Sequence, residues 1–303
     1  MARNTYEPWV PEEWDSQVLQ RVNQVSVMEQ YATRIDMTSD TMWVPRSAGV
    51  DIDVIPKGTA YSEDVNLNDT VLLNTSKFGR GVRIAEEDIQ DISANLIGAK
   101  QLDWGTSYAK AIDNACIGTS ASGSPSTATP FNSVYYALGQ TNASTGYTSA
   151  ANITSFATAT YDSLNTAAKI HETSDFFDMS RSIVIMHPIF RYLLRGIKDS
   201  QARPVFIDAA AGDSAPPNLF GLPVRYSLGA RVSGVATQSP TGSYLLVFCN
   251  PGYLKFGVRS GPETQLILPQ YSNTDEALLK LRARRGFAVG HERAFSVYVY
   301  TGS

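Results

Sequence analysis

The chain has 303 residues, 43% of them hydrophobic and 18% charged, with 22 glycines and 15 prolines, a balance that excludes a disordered, collagenous or low-complexity polymer. A net charge of −4 argues against a protein whose main task is neutralising phosphates, since tight nucleic-acid binding needs an excess of Lys and Arg. Cys116 and Cys249 are too few for a disulfide framework and too far apart for a C-x-x-C pair, so both are expected to be buried small apolar residues. No apolar run approaches the roughly 18 residues of a membrane span, and the opening MARNTYEPWVPEEW lacks the regions of a secretory signal. The expectation is a protein made inside the cell, with no membrane contact.

Residues 1–37 begin with Pro8, Trp9, Pro11 and Trp14 and then place Val18, Leu19, Val22, Val25 and Met28 at helical spacing. Glu12, Glu13 and Asp15 suit the first turn of such a helix. The segment reads as an arm without a core of its own, whose apolar stripe must be buried on its own body or on a neighbour. Two period-two stretches follow, Thr41–Pro56 with Val50, Ile52 and Val54, and Thr70–Ile84 with Val82 and Ile84. With Gly58, Asn66, Asn68 and Asp69 between them they read as a wide hairpin, and about 14 residues per strand at roughly 3.3 Å would reach about 45 Å. Asp51 and Asp53 make the first strand acidic, while Lys77, Arg80 and Arg83 make the second basic, so the two are expected to complement each other across the ribbon or toward neighbours. A two-stranded ribbon is marginal alone and needs a surface beneath it.

Glu86–Ile117 reads as one long helix, started by Glu86, Glu87 and Asp88 and carrying an apolar stripe that includes Ile89, Leu96, Leu102, Tyr108 and Ile112. Gly118 suits a left-handed stop. Gly118 to about Thr160 is rich in Ser, Thr, Ala, Gly and Asn and reads as a surface excursion crossing between two bodies. Beyond it the expectation is a helix over Tyr161–His171, a strand over Ser182–His187 and a helix opened by Pro188. Strands are expected near Val205 and at Leu222–Tyr226, Tyr244–Phe248, Leu254–Val258, Thr264–Leu268, Ala277–Arg285 and Ala294–Tyr300, making the fold α+β. Arg282, Arg284 and Arg285 form a basic cluster, but the alternation of Leu279, Leu281 and Ala283 with Lys280, Arg282 and Arg284 is that of a half-buried strand with one basic face.

Chemistry-bearing motifs are sparse. There is no P-loop, G-x-G-x-x-G, H-E-x-x-H or G-x-S-x-G, and His171, His187 and His291 stand apart from one another and from cysteine. No metal or cofactor is expected. Ser107 and Lys110 form an S-x-x-K without the S-D-N and K-T-G that accompany it in serine hydrolases, so the pair reads as a polar helix face, with a hydrolase as a remote alternative. The sequons at Asn68, Asn74, Asn142 and Asn152 read as loop polarity.

The order of elements, together with AEEDIQDISANLIGAKQLDWGTSYAKAIDNACIG, SIVIMHPIFRYLLRGIKDSQARPVF, LFGLPVRYS, LKFGVRSGPE and LRARRGFAVGHERAFSVYV, resembles the tailed-bacteriophage major capsid protein of the Hong Kong 97 type. The resemblance implies an N-terminal arm at 1–37, an extended E-loop hairpin at 38–84, and the spine helix of a peripheral P-domain with a crossing loop at 85–159. It further implies an axial A-domain at 160–245 and P-domain strands returning to the A-domain at 246–303. It implies a structural protein, not an enzyme, that assembles through hexamers and pentamers into an icosahedral virion head around double-stranded DNA contacted without sequence preference. Assembly would occur in the host cytoplasm with a portal, a separate scaffolding protein and optional decoration proteins, since Met1 stands directly before a short arm. Assembly contacts are expected at Val18, Val22, Val25, Asp51, Asp53, Lys57, Lys77, Arg80 and Arg83. Some members form a lysine–asparagine isopeptide bond, and Lys57 sits near the expected loop tip; ALLKLRARRGFAV, however, offers neither the asparagine nor the assisting glutamate, so no cross-link is expected. An encapsulin-like nanocompartment shell is the alternative within the same fold.

Overall fold

A computed structural model describes residues 25–46, 52–61, 69–91, 96–124, 127–199, 201, 203, 218–271 and 275–302. Val18, Val22, Val50, Asp51 and the strand expected near Val205 lie outside the described residues. Ser26 caps a short helix, α1 (Val27–Tyr31), its hydroxyl accepting the Glu29 amide hydrogen at 3.2 Å. Val27 and Met28 are buried in the chain's own core, so the last turn of the expected arm rests on its own body. The chain then runs through β1 (Thr33–Asp36) and β2 (Thr41–Arg46) to the 17-residue β3 (Asp69–Ala85).

The expected hairpin is only partly formed. Of the strand read over Thr41–Pro56 the described part is Thr41–Arg46, while 47–51 lie outside the described residues and Asp53 is in the strandless stretch 52–61. β2 pairs with the first third of β3, from Thr41 opposite Asn74 to Arg46 opposite Asp69. On its other edge β3 pairs over Thr75–Ala85 with a later strand, so that Lys77, Arg80 and Arg83 stand opposite Arg284, Leu281 and Leu278.

Glu86, Glu87 and Asp88 are the first residues of α2 (Glu86–Asp91), and α3 (Leu96–Ile117) follows. Gly118 ends α3 without a left-handed backbone, contrary to expectation. Its reason is proximity: a Cβ there would lie 2.1 Å from the Arg231 carbonyl oxygen. The segment read as a surface excursion is built into the molecule instead. It carries α4 (Val134–Leu138) and β4 (Ile153–Phe156), and Phe131, Val134, Leu138 and Tyr147 are buried in the main core. Its Ser and Thr residues serve as caps and turn anchors, as where the Ser133 hydroxyl donates to the Thr119 carbonyl at 2.6 Å.

Thr160 and Ser163 form a capping box at the start of α5 (Tyr161–Glu172), followed by β5 (Ile183–Met186) and α6 (Ile189–Gly196). The remaining strands are β6 (Asn218–Leu219), β7 (Leu222–Tyr226), β8 (Tyr244–Cys249), β9 (Leu254–Tyr271), β10 (Glu276–Val289) and β11 (Phe295–Tyr300). The two strands read at 254–258 and 264–268 are one, β9, 18 residues long.

Two sheets result. One has the order β1-β9-β10-β3-β2, the other β4-β11-β8-β5-β7-β6. The second is buried on both faces: Ile183, Ile185, Leu245 and Val247 face α3 and the 131–138 segment, while Val184, Met186, Leu246 and Phe248 lie against Leu164 of α5 and Phe190 of α6. This explains the unbroken apolar runs SIVIM and YLLVFC, since a strand covered on both sides has no polar face. Along Ala277–Arg284 the first sheet has one covered face, while nearer its other end Met37, Leu73 and Ala288 are buried together on the opposite one. Ala277, Leu279, Leu281 and Ala283 of β10 are buried, and Lys280, Arg282 and Arg284 alternate with them, as the sequence predicts.

Candidate assembly surface

Arg46 and Asp69 form the last register pair of β2 and β3, on the two sides of the stretch that holds 52–61. Arg46 Nε donates to Asp69 Oδ1 at 2.6 Å and its Nη2 to Asp69 Oδ2, a bidentate fork. Arg46 Nη1 also reaches Glu292 Oε2 at 3.3 Å, and Glu292 Oε1 accepts from Asn142 Nδ2 at 2.8 Å. The guanidinium holds the Asp69 carboxyl below the usual carboxylate range, and the two acids in turn raise the Arg46 pKa. Neither Arg46 nor Glu292 was singled out in the sequence, where each is one charge among many.

The 52–61 stretch carries apolar side chains with nothing beneath them. Ile52, Val54 and Tyr61 are 95%, 97% and 85% exposed. Lys57 is exposed at a turn in which Gly58 has φ +86° and the Thr59 amide donates to the Pro56 carbonyl at 3.1 Å. Val25 is 61% exposed, one residue before the arm end becomes buried at Ser26.

The uncovered face of the first sheet is basic. Lys77 and Arg83 of β3 share it with Lys280, Arg282 and Arg284 of β10, and Gly79 and Gly81 leave a bare backbone floor between them. Acids offset part of the charge: Arg282 pairs with Glu263 at 2.8 Å, Arg83 with Glu276 at 3.8 Å, and Arg284 with Asp40 at 3.8 Å. Arg80 projects to the opposite face, into a groove of about 560 Å³ lined also by Phe78, Val82, Lys100 and Trp104. The structure therefore places Lys77 and Arg83 on one face, sets Arg80 on the other, and leaves Asp53 and Lys57 in the 52–61 stretch.

Arg285 does not belong to the basic face. It is 4% exposed, turned inward, and donates from Nε to Glu29 Oε1 at 2.7 Å. Tyr108 Oη donates to the same oxygen at 2.7 Å, and burial followed by the Glu29 charge drives its phenol far above the ordinary value. This triad ties α1 to α3 and β10. The arm end is held a second time by Asp113 of α3, whose carboxylate accepts from Ser26 Oγ at 2.6 Å. The visible signal for Asp113 was a carboxylate inside the apolar helical stripe of Ile112, Ala115 and Cys116.

The other chemistry-bearing residues are structural. Ser107 and Lys110 lie on neighbouring turns of α3. The His187 and His291 Nδ1 atoms accept the amide hydrogens of Ile189 and Arg293, both at 3.2 Å, closing local turns. Cys116 and Cys249 are fully buried free thiols. Among the described residues no three His, Cys, Asp or Glu side chains converge as a metal site, and no helix is long and apolar enough to cross a membrane.

Two long strands, a helix along one of their faces, a double-covered second sheet and an exposed loop are the architecture of a shell subunit. A family model for the phage capsid family matches residues 8–300, and the chain belongs to that family. No curated protein matches the chain by sequence. Among solved structures, one from Microbacterium phage Oxtober96 is 15% identical with a TM-score of 0.71, covering 98% of this chain and 97% of the other. One from Mycobacterium phage Bobi is 14% identical with a TM-score of 0.74 at the same coverage, 98% and 97%. A third, described as the capsid of a native GTA particle computed with C5 symmetry, is 13% identical with a TM-score of 0.73, covering 97% and 96%. These likenesses establish the α+β fold of the Hong Kong 97-type tailed-phage major capsid protein. The chain is a capsid protein of the virion, oligomeric and structural, and not a hydrolase built on Ser107 and Lys110.

Proposed function

We propose that the chain assembles through hexamers and pentamers into the icosahedral head of a tailed phage and encloses double-stranded DNA, contacted through its phosphates without sequence preference. The observation that carries this reading is the 52–61 stretch: Ile52, Val54 and Tyr61 stand in solvent, an arrangement that gains stability only when another subunit covers them. The acidic loop residues Asp51 and Asp53 are then set against the basic sheet face of a neighbouring copy, at Lys77, Arg83, Lys280 and Arg282. Val18, Val22 and Val25 of the arm are covered at a second contact, while Lys57 and Arg80 serve as polar contacts without covalent cross-linking. Assembly takes place in the host cytoplasm with a separate scaffolding protein and a portal, and the finished shell accepts decoration proteins.

Electron microscopy of the purified full chain tests this. The expected result is closed shells, or capsomers that close when a scaffolding protein is added, and boiling in denaturant should return single 33.0 kDa chains. A monodisperse monomer under every condition overturns the reading, and a covalent ladder abolished by Lys57→Ala overturns the absence of cross-links.

A further inference from the structure

Asp113 is 3% exposed, and among the described residues no cation pairs with it. Its charge is held by four donors from two separate parts of the chain. Three come from the arm end: Ser26 Oγ at 2.6 Å and the Met28 amide at 3.2 Å to Oδ1, and the Val27 amide at 3.2 Å to Oδ2. The fourth is Ser227 Oγ, donating to Oδ2 at 2.6 Å. Ser227 is itself part of a tightly seated loop, because its hydroxyl accepts the Gly229 amide hydrogen at 3.2 Å and its own amide donates to Met186 of β5 at 3.0 Å.

The next residue of α3 grips the same loop with opposite polarity. Asn114 Nδ2 donates to the carbonyls of Gly229 and Arg231 at 3.0 and 2.9 Å, and its Oδ1 accepts the Thr237 amide hydrogen at 3.2 Å. The loop lies so close to α3 that a Cβ on Gly229 would meet the Asn114 nitrogen at 2.7 Å and the Asp113 Cβ at 2.8 Å. Side chains at 113 and 114 thus rivet the arm end and the 227–237 loop to one point of the helix.

We propose that Asp113 is a positioning residue that couples the arm to the 227–231 loop, so that loosening either one loosens the other. Burial pushes the Asp113 pKa up, and the Ser227, Ser26, Met28 and Val27 donors oppose that rise. An ionised carboxylate is tolerated in an apolar core only while its lone pairs are filled. Loss of a donor from one side leaves a buried charge underserved and draws in water, which then competes with the donors of the other side. The coupling stands on one chain's geometry; its use, by which an arm engaged by a neighbour is sensed at the 227–231 loop, rests on the capsid reading.

Amide hydrogen exchange on the full chain in its unassembled form tests the coupling, with two variants read at the side each does not touch. Ser227→Ala is expected to speed exchange at Val27 and Met28 about tenfold, and Ser26→Ala to speed it similarly at Gly229, while Leu246 in the six-stranded sheet stays unchanged. Thr166→Ala, at an exposed hydroxyl of α5, should alter neither region. Asp113→Asn should loosen both regions; if it fails to fold, the two serine variants decide the matter alone. If each serine substitution speeds exchange only on its own side, or if Leu246 accelerates equally, the coupling is overturned. Particle yield is read separately, so a failure of the capsid reading is distinguishable from a failure of the coupling.

Discussion

Arg46 and Asp69 occupy the last register pair of β2 and β3, and the same guanidinium extends their ion pair to Glu292, tying this pair of strand ends to the segment before β11. Replacing Arg46 by Met removes the fork and leaves the Glu292 carboxylate, among the described residues, to Asn142 and Thr145. Breaking this part-buried pair from one side should cost about 1–3 kcal/mol. Urea unfolding should show a lower midpoint for Arg46→Met, and Arg46→Lys should recover only part of it because an ammonium cannot make the bidentate contact. A midpoint within error of the parent would show that the triad is solvated and contributes nothing.

The charge distribution predicts a complementation in trans. Asp51→Lys with Asp53→Lys should lower particle yield, and Lys280→Glu with Arg282→Glu should do the same, each leaving a folded subunit. Co-expressed, the two defective chains should assemble better than either alone, since a reversed loop can meet a reversed sheet face only on a different copy. Exposed pairs contribute about 0–1 kcal/mol each and fade with salt, so the rescue should be largest at low ionic strength. Two variants that both assemble normally would show that the loop is held through Ile52 and Val54 instead.

His171 predicts a pH dependence of stability. The ring is fully buried, its Nε2 lies 3.1 Å from Ser182 Oγ, and burial lowers its pKa to about 4. The folded state therefore binds fewer protons than the unfolded state between about pH 4 and 6.5. The stabilisation is complete above about pH 6.5 and is lost as pH falls toward 4, amounting to up to about 3 kcal/mol. In His171→Gln the slope of unfolding free energy against pH across this window should flatten relative to the parent; an identical slope would assign it to other groups.

Much of the fold was legible because it follows from local rules. Acidic residues at 86–88 opened a helix, and Thr160 and Pro188 stood at the starts of two others. The strict alternation in ALLKLRAR marked a one-sided strand, and the apolar run YLLVFC a doubly covered one. The 118–160 segment was misread because its composition is that of a loop. Burial there is supplied by a few large residues, Phe131, Leu138 and Tyr147, spaced too irregularly to produce a period.

What the sequence by itself determined was the class of protein, through the likeness of its element order and quoted segments to the tailed-phage capsid family. Only the tertiary structure decided the partners. β3 is flanked by β2 on one edge and β10 on the other, and hydrophobic period, which tells a strand's two faces apart, does not tell which strand lies at either edge. Charge obeys the same limit: Arg284 and Arg285 are adjacent identical residues, yet the pleat sends the first to solvent and the second into the core beside Glu29, a distinction that exists only once a strand has two faces.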